Sequence, residues 1–140
     1  MTGFIEYLSQ GEVCSALQRS VTKHLCERLQ RSIEYLQYID EDSVDTVVVS
    51  GGVASNQHIR AGLEKVTSHY NMSAVFPPPA LCTDNGVMVA WNGLERWRRG
   101  RGVVPWRGCL GVEVRPRCPL GEDWHHRVEA ASIKCKWIKL

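Results

Sequence analysis

Apolar residues at steps of three and four mark a long helix near the start of the chain. From Val13 to Leu36, leucine, valine and isoleucine recur at these steps, with glutamine, lysine and arginine between them. This spacing places the apolar side chains on one stripe of a helix that ends near Tyr38. The sequence therefore predicts one long amphipathic helix.

A strand, a glycine turn and a second helix follow. Residues 44–49 (VDTVVV) form an apolar, β-branched run that is too short for a helix and predicts a buried strand in parallel pairing. A Ser-Gly-Gly turn comes next, and residues 54–70 return to helical spacing. Residues 72–76 predict another short strand. This alternation of helices and strands is typical of the α/β class.

Three prolines, at 77–79, predict a rigid entry into the next element, since proline has no N–H to donate. We expect Thr83 or Asp84 to cap a third helix that Gly100 closes. Residues 1–104 therefore form the predicted α/β domain. Residues 105–140 are predicted to be an irregular C-terminal tail, with short strands at 112–115 and 133–138.

Composition and charge exclude several classes of protein. In 140 residues, 44% are hydrophobic and 23% charged, which argues against collagen, coiled coil and wholesale disorder. The net charge of +2 is too small to predict nucleic-acid binding, so any basic surface must be local. No apolar run is long enough to span a membrane. The N-terminus carries acid rather than arginine and serine, so we expect no signal peptide or mitochondrial presequence at this end.

The six cysteines form no CxxC pair, and the five histidines form no HExxH motif. A zinc finger or a thioredoxin-type site is therefore not predicted. Cys14 and Cys26 stand at helical positions where apolar residues are expected. We interpret them as buried thiols in a reducing compartment.

The first candidate site is the turn that contains Gly51 and Gly52, with Asn56 after it. Paired glycines between a strand and a helix let a ligand approach the backbone closely, and free N–H groups of the next helical turn suit an anion or a ribose phosphate. The alternative is that the glycines only make a tight turn. The spacing matches neither GxGxxG nor the Walker loop.

The second candidate site is Asp84, in the sequence CTDNG after the prolines. A carboxylate at a helix start is often only a cap. The functional alternative is a ligand for a metal or a hydroxyl group. Asp84 and the glycine turn would then lie at the mouth of one α/β layer, where open sheets bind ligands.

The third candidate is the basic run at 95–101 (ERWRRGR), with Arg107 nearby. Cations at a helix C-terminus are favoured by the helix dipole, which explains the cluster without any partner. Arginines beside Trp97 also suit phosphates and a stacked base, so RNA contact stays open. His125 and His126 have no ligand partners at useful spacing and are interpreted as surface residues.

The segments VVVSGGVASNQHIRAGL and FPPPALCTDNGVMVAWNGLERWRRG, with the long helix before them, resemble the C-terminal part of a known family. It is the Gcp-like tRNA N6-threonylcarbamoyladenosine synthases, formerly called O-sialoglycoprotein endopeptidases. The resemblance covers about residues 10–104. The form CTDN and the tail with CPLG resemble the bacterial and mitochondrial branches more than the archaeal and cytosolic one, and the tail favours the mitochondrial branch.

The resemblance implies a partial second domain of an actin-like and sugar-kinase-like fold. It also implies transfer of a threonylcarbamoyl group from threonylcarbamoyl-adenylate to N6 of adenosine 37, in tRNAs that read codons beginning with A. Asn56 falls on the asparagine that contacts the adenylate, beside Gly51 and Gly52. Asp84 falls on the aspartate that binds a divalent metal, usually iron.

The chain also departs from the family pattern, because the HxxxH metal motif is absent. We therefore expect the isolated chain to carry part of an active site and to be inactive alone. Expected partners are the adenylate, tRNA, and a second copy or an accessory protein, in the mitochondrion. The rival hypothesis is a non-catalytic interaction module that docks to a full-length protomer or to an accessory protein through the apolar stripe of the first helix.

Overall fold

The computed structural model describes residues 9–41, 43–113, 117, 119 and 121–140. The chain divides into two compact units, one of Met1–Thr83 with His125–Leu140 and the other of Asp84–Trp124. Helices and strands are mixed, so the predicted α/β class is confirmed. None of the described helices combines the length and the apolarity needed to cross a membrane.

Helix α1 spans Gln10–Tyr38 and ends where the periodicity predicts. It begins before the first apolar position because Ser9 caps it, with the Glu12 side chain bonded back to the Ser9 backbone. Burial along α1 starts at Thr22, so Cys14 is exposed whereas Cys26 is buried. The predicted burial of Cys14 is wrong because the described elements that pack on α1 cover only its later turns.

Strands β1 (Thr46–Val48) and β2 (Ser73–Val75) pair in parallel, and helix α2 (Gln57–His69) connects them. Parallel pairing is confirmed, but the predicted burial of residues 44–49 is wrong. The central residue of each strand is half-buried, and Val48 is 68% exposed. Parallel strands are buried when other elements cover both faces of their sheet, and the described elements do not cover both faces of this two-stranded sheet.

The core of the first unit lies between α1 and α2. Its buried apolar members come from one stripe of each helix, namely Cys26, Ile33, Ile59, Leu63 and Val66. The helices cross at Gly62, where a Cβ atom would lie 2.7 Å from Cγ2 of Thr22. Glycine is therefore required by the close approach of the two helices.

In the second unit, helix α3 spans Gly86–Arg98 and a 3₁₀ turn spans Trp106–Gly111. No residue of α3 is buried. Helix α4, at His125–Ala131 in the first unit, lies within the predicted irregular tail. Its seven residues are too few for a helical period to be visible in the sequence.

The predicted strand at 133–138 is absent, and the predicted strand at 112–115 is not present at 112 and 113. Residues 114 and 115 lie outside the described residues, as does Cys118.

Gln30 holds the C-terminal segment against α1 in place of a strand partner. Its amide donates to the Lys136 carbonyl at 3.0 Å and accepts from the Ile138 N–H at 3.1 Å. Arg31 donates to the Ile133 carbonyl at 2.8 Å. These side chains satisfy backbone groups that a sheet ladder would otherwise pair, so the segment stays extended without being a strand.

Glu34 links α1 to α2. Its carboxylate accepts from the Tyr70 hydroxyl at 2.6 Å and from the Gln30 amide at 2.8 Å. Burial alone would raise the pKa of Glu34, but the neighbouring thiol of Cys135, these two donors and the charge of Arg31 together lower it. Among the described residues, no hydrogen bond of ordinary geometry reaches Oε2 of Glu34, so we regard the thiol as a nearby dipole.

As the pH is lowered, we expect the free energy of unfolding to decrease more steeply in this protein than in its Glu34→Gln variant. A lowered folded-state pKa stabilises the fold above the unfolded-state pKa of about 4.3, and that contribution is lost as pH falls through the folded-state value. Urea unfolding between about pH 6 and pH 3 measures the difference. Parallel pH profiles of the two proteins would contradict this role of Glu34.

Candidate functional site

The glycine turn joins the end of β1 to the start of α2. Gly51 has φ +107°, a conformation that L side chains rarely adopt, and Gly52 opens a 3₁₀ turn that ends at Ser55. The Ala54 N–H donates to the Gly51 carbonyl at 2.9 Å, and the Ser55 hydroxyl donates to the Gly52 carbonyl at 2.7 Å. A Cβ atom on either glycine would meet nothing within 4 Å. The backbone at this turn therefore has open space beside it.

Asn56 caps helix α2 through its side-chain oxygen. Oδ1 accepts from the His58 N–H at 2.9 Å and from the Ile59 N–H at 3.3 Å. It also accepts from the Gln18 amide at 3.1 Å, which connects the turn to α1. The prediction that these helix N–H groups are free for an anion is wrong for His58 and Ile59, because the Asn56 side chain already satisfies them.

Arg60 is a site residue that sequence reasoning missed. Its Nε donates to the Ala54 carbonyl in the turn, and its Nη2 donates to the Pro77 carbonyl at 2.7 Å. Nη2 also lies 3.4 Å from Sγ of the buried Cys82. The guanidinium thus joins the glycine turn to the segment that leads toward Asp84.

The ring of Phe76 covers the guanidinium of Arg60, with 5.0 Å between the ring centroid and Cζ. Cation–π contact and several carbonyl acceptors hold the side chain in one orientation. The only sequence signal is an arginine four residues after a helix cap, and such a residue is usually exposed. Its partners lie as far as 22 residues away along the chain.

Asn85, rather than Thr83 or Asp84, caps helix α3. Its Oδ1 accepts from the Met88 N–H at 3.0 Å, since the helix begins at Gly86. The predicted cap is therefore displaced by one residue. Asp84 precedes the cap and is exposed. A role as the cap of helix α3 therefore does not explain the Asp84 carboxylate.

The candidate residues fall in both units of the chain. Gly51, Gly52 and Asn56 belong to the first unit, and Asp84 opens the second. The shared cavity for these residues stays a prediction. In the described part of the chain, no three histidine, cysteine, aspartate or glutamate side chains form a group that could hold a metal ion. These residues therefore do not fit a complete metal centre.

His125 and His126 begin helix α4 and are exposed, as predicted. The arginines of the basic run lie at the end of α3 and beyond it.

Comparisons with a family model and with individual proteins identify the same family. The family model described as TsaD: tRNA N6-adenosine threonylcarbamoyltransferase matches residues 2–91. The mitochondrial tRNA N6-adenosine threonylcarbamoyltransferase of Homo sapiens is 40% identical over 134 residues, which cover 94% of this chain and 32% of that protein. The protein of the same name from Xenopus tropicalis is 43% identical over 133 residues, covering 92% of this chain and 32% of that protein.

A probable mitochondrial tRNA N6-adenosine threonylcarbamoyltransferase of Arabidopsis thaliana is 40% identical over 131 residues, which cover 90% of this chain and 27% of that protein. The chain thus spans about a third or less of the length of these relatives. The resemblance to the mitochondrial branch is confirmed.

Proposed function

The chain belongs to the family of tRNA N6-adenosine threonylcarbamoyltransferases, TsaD, and from that premise we propose that it forms one wall of a threonylcarbamoyl-transfer site. The reaction moves the threonylcarbamoyl group from threonylcarbamoyl-adenylate to N6 of adenosine 37 in mitochondrial tRNAs that read codons beginning with A. The mitochondrial location follows from the names of the matched relatives.

The observation that carries this proposal is the position of the glycine turn. Gly51 and Gly52 follow a parallel strand at its carboxyl end and precede the start of α2. In open α/β sheets, ligands bind outside the carboxyl ends of strands. The open space beside both glycines supports the proposal that an adenylate approaches the backbone here.

Asn56 would contact the adenylate through Nδ2. Its Oδ1 already accepts three hydrogen bonds, so the amide nitrogen is the group left to serve a ligand. Arg60 would position the turn, since its guanidinium bonds the Ala54 carbonyl within it.

Replacing Asn56 by serine separates the cap from ligand contact. Serine caps a helix about as well as asparagine but lacks the amide, so we expect the KM for the adenylate to rise about tenfold with stability unchanged. Because we expect the isolated chain to be inactive, the KM is measured in a full-length relative whose matching segment is replaced by residues 9–104 of this chain. Urea unfolding of the 140-residue chain measures the stability. Asn56→Ala should raise the KM similarly and also destabilise the fold by about 1 kcal/mol. A serine variant with unaltered KM would show that Asn56 is only a cap.

Asp84 would provide one ligand of a divalent metal, with iron as the expected ion. A bound divalent ion supplies Lewis-acid polarisation and positions substrate oxygens. One carboxylate does not define a coordination geometry, so the remaining ligands must come from outside the described residues. The proposal for this chain is therefore limited to Asp84 itself.

A chimeric enzyme tests the proposed function. In it, residues 9–104 of this chain replace the matching segment of a full-length relative. We expect the chimera to transfer threonylcarbamoyl groups to a tRNA transcript and the isolated chain to show no turnover. Turnover of the isolated chain comparable to that of the relative would refute the partial-site proposal, and an inactive but folded chimera would refute the role of this segment in transfer.

The complete domain that holds this site would have an actin-like and sugar-kinase-like fold. The parallel pair β1–β2, with α2 packed on β2 and α1 packed on α2, is compatible with part of such a domain. The exposed apolar surface of this pair, which includes Val48, is what further strands and helices would cover.

A non-catalytic interaction module is the second candidate, favoured by the exposed early turns of α1. Val13 and Leu17 are 43% and 64% exposed on its apolar stripe. Exposed apolar patches of this kind mark protein interfaces. Sedimentation of the chain mixed with a full-length relative would reveal a complex if this candidate is right, and Leu17→Asp should then abolish it.

A further inference from the structure

We propose that the segment 96–107 of the second unit is a contact surface for the phosphate backbone and bases of tRNA. The choice of tRNA as the partner rests on the proposed function. The surface itself rests on charge, exposure and side-chain geometry within residues 84–124. It lies outside the adenylate and metal residues discussed above.

The net positive charge of the protein is located in the second unit. Residues 84–124 contain seven arginines and five acidic residues, whereas the rest of the chain has ten basic and ten acidic residues. Within residues 96–107 there are five arginines and no acid. The local surface is therefore strongly basic although the net charge of the whole chain is only +2.

The turn after α3 keeps these arginines together. The Arg101 N–H donates to the Arg96 carbonyl at 3.0 Å, and Gly100 and Gly102 both have positive φ. A Cβ on Gly102 would lie 2.9 Å from Cζ of Arg96, so the turn folds back against that guanidinium. The positive φ of Gly102 is a conformation that favours glycine, and the Arg96 guanidinium lies directly beside it.

Two exposed indoles stand among the arginines. Trp97 is 67% exposed and Trp106 is 77% exposed, and Cζ of Arg107 lies 5.4 Å from the centroid of the Trp106 ring. Exposed rings beside guanidinium groups provide a stacking platform for unpaired bases and fork-shaped donors for phosphates.

Helix-dipole stabilisation explains only part of this segment. Arg96 and Arg98 lie in the last turn of α3, where a cation is favoured. Arg101 and Arg107 lie beyond the helix. The two indoles are uncharged, so the helix dipole does not account for them either. Glu95 contacts Arg98 at 3.3 Å and Arg99 at 4.0 Å, but their side chains are 59% and 73% exposed. Such surface pairs are weak, and a phosphate replaces the carboxylate at little cost.

Binding of a labelled tRNA transcript to the 140-residue chain tests the proposal, with fluorescence anisotropy as the readout at several salt concentrations. We expect Arg98→Gln combined with Arg101→Gln and Arg107→Gln to weaken binding about tenfold or more at 0.1 M salt. Loss of two or three phosphate contacts should reduce the slope of log K against log salt by about 2. Trp97→Leu should weaken binding about fivefold without changing that slope.

The matched control removes the same charge elsewhere. Lys134, Lys136 and Lys139 lie in the C-terminal segment of the first unit and are exposed, so their joint replacement by glutamine should change affinity less than about twofold. Circular dichroism should show unaltered helicity for every variant, because all the substituted side chains are exposed.

Three results would overturn the proposal. They are no tRNA binding by the parent chain, an equal loss of affinity in the lysine variant, and binding to anionic phospholipid vesicles but not to tRNA.

The chimera distinguishes this proposal from the proposed function. Transfer by the chimera without tRNA binding by the 140-residue chain refutes only the surface, whereas tRNA binding by the 140-residue chain with an inactive chimera refutes only the role in transfer.

Discussion

Replacing Asp84 by asparagine will remove metal binding from the chimeric enzyme and lower its turnover about a thousandfold. The substitution keeps the shape of the side chain and removes its charge. Because Asn85 rather than Asp84 caps α3, the stability of the fold should change by no more than about 0.5 kcal/mol. Metal content by atomic absorption, kinetics and thermal unfolding measure the three effects.

The adjacent cap residue is the matched control for this experiment. Asn85→Ala removes the oxygen that accepts from the Met88 N–H and should cost about 1 kcal/mol, with metal content retained. We therefore expect Asp84→Asn to lose the metal but keep its stability, and Asn85→Ala to keep the metal but lose stability. An Asp84→Asn enzyme that keeps its metal would show that Asp84 is not a metal ligand, and one that loses stability as the Asn85 variant does would show that Asp84 has a structural role.

Replacing Gly62 by valine will destabilise the first unit by about 3 kcal/mol. A Cβ atom at this position would lie 2.7 Å from Cγ2 of Thr22 and 3.0 Å from Sγ of Cys26, and both of those residues are buried on α1. Both atoms belong to buried side chains, so relieving the clash requires these side chains to repack or the two helices to separate. Urea unfolding monitored by far-ultraviolet circular dichroism measures the loss.

The neighbouring residue of the same helix provides the control. Ala61 is exposed, so Ala61→Val adds two methyl groups without a clash and should alter stability by less than about 1 kcal/mol. If Gly62→Val were as stable as the parent chain, α1 and α2 would have to cross at a greater distance than the structure shows.

The sequence predicts residues for the candidate site but not the contacts that these residues make in the structure. Asn56 and Asp84 stand out because of local chemistry, an amide after a glycine turn and a carboxylate before a helix. The cap prediction for Asp84 is wrong by a single position, because the helix start depends on backbone geometry that neighbouring polar residues do not distinguish. Arg60 gave no usable signal, since its acceptors at Ala54 and Pro77 meet only after the chain has folded.

Local patterns determined the elements. The period of apolar residues specified α1 to its end at Tyr38, and the β-branched run specified a parallel strand, because side-chain spacing along a backbone is a property of the sequence itself. Family membership was also readable, since the two motifs flanking the prolines combine uncommon residues at set positions.

Burial and long-range partners were decided only by the tertiary structure. The sequence predicts buried thiols at Cys14 and Cys26 alike, yet burial along α1 begins only at Thr22, so Cys14 is exposed and Cys26 is buried. Apolar character shows which face a helix prefers to bury, whereas burial itself requires another element at that place. For the same reason the segment at 133–138 is held by Gln30 of α1 instead of by a strand, a choice that no local pattern contains.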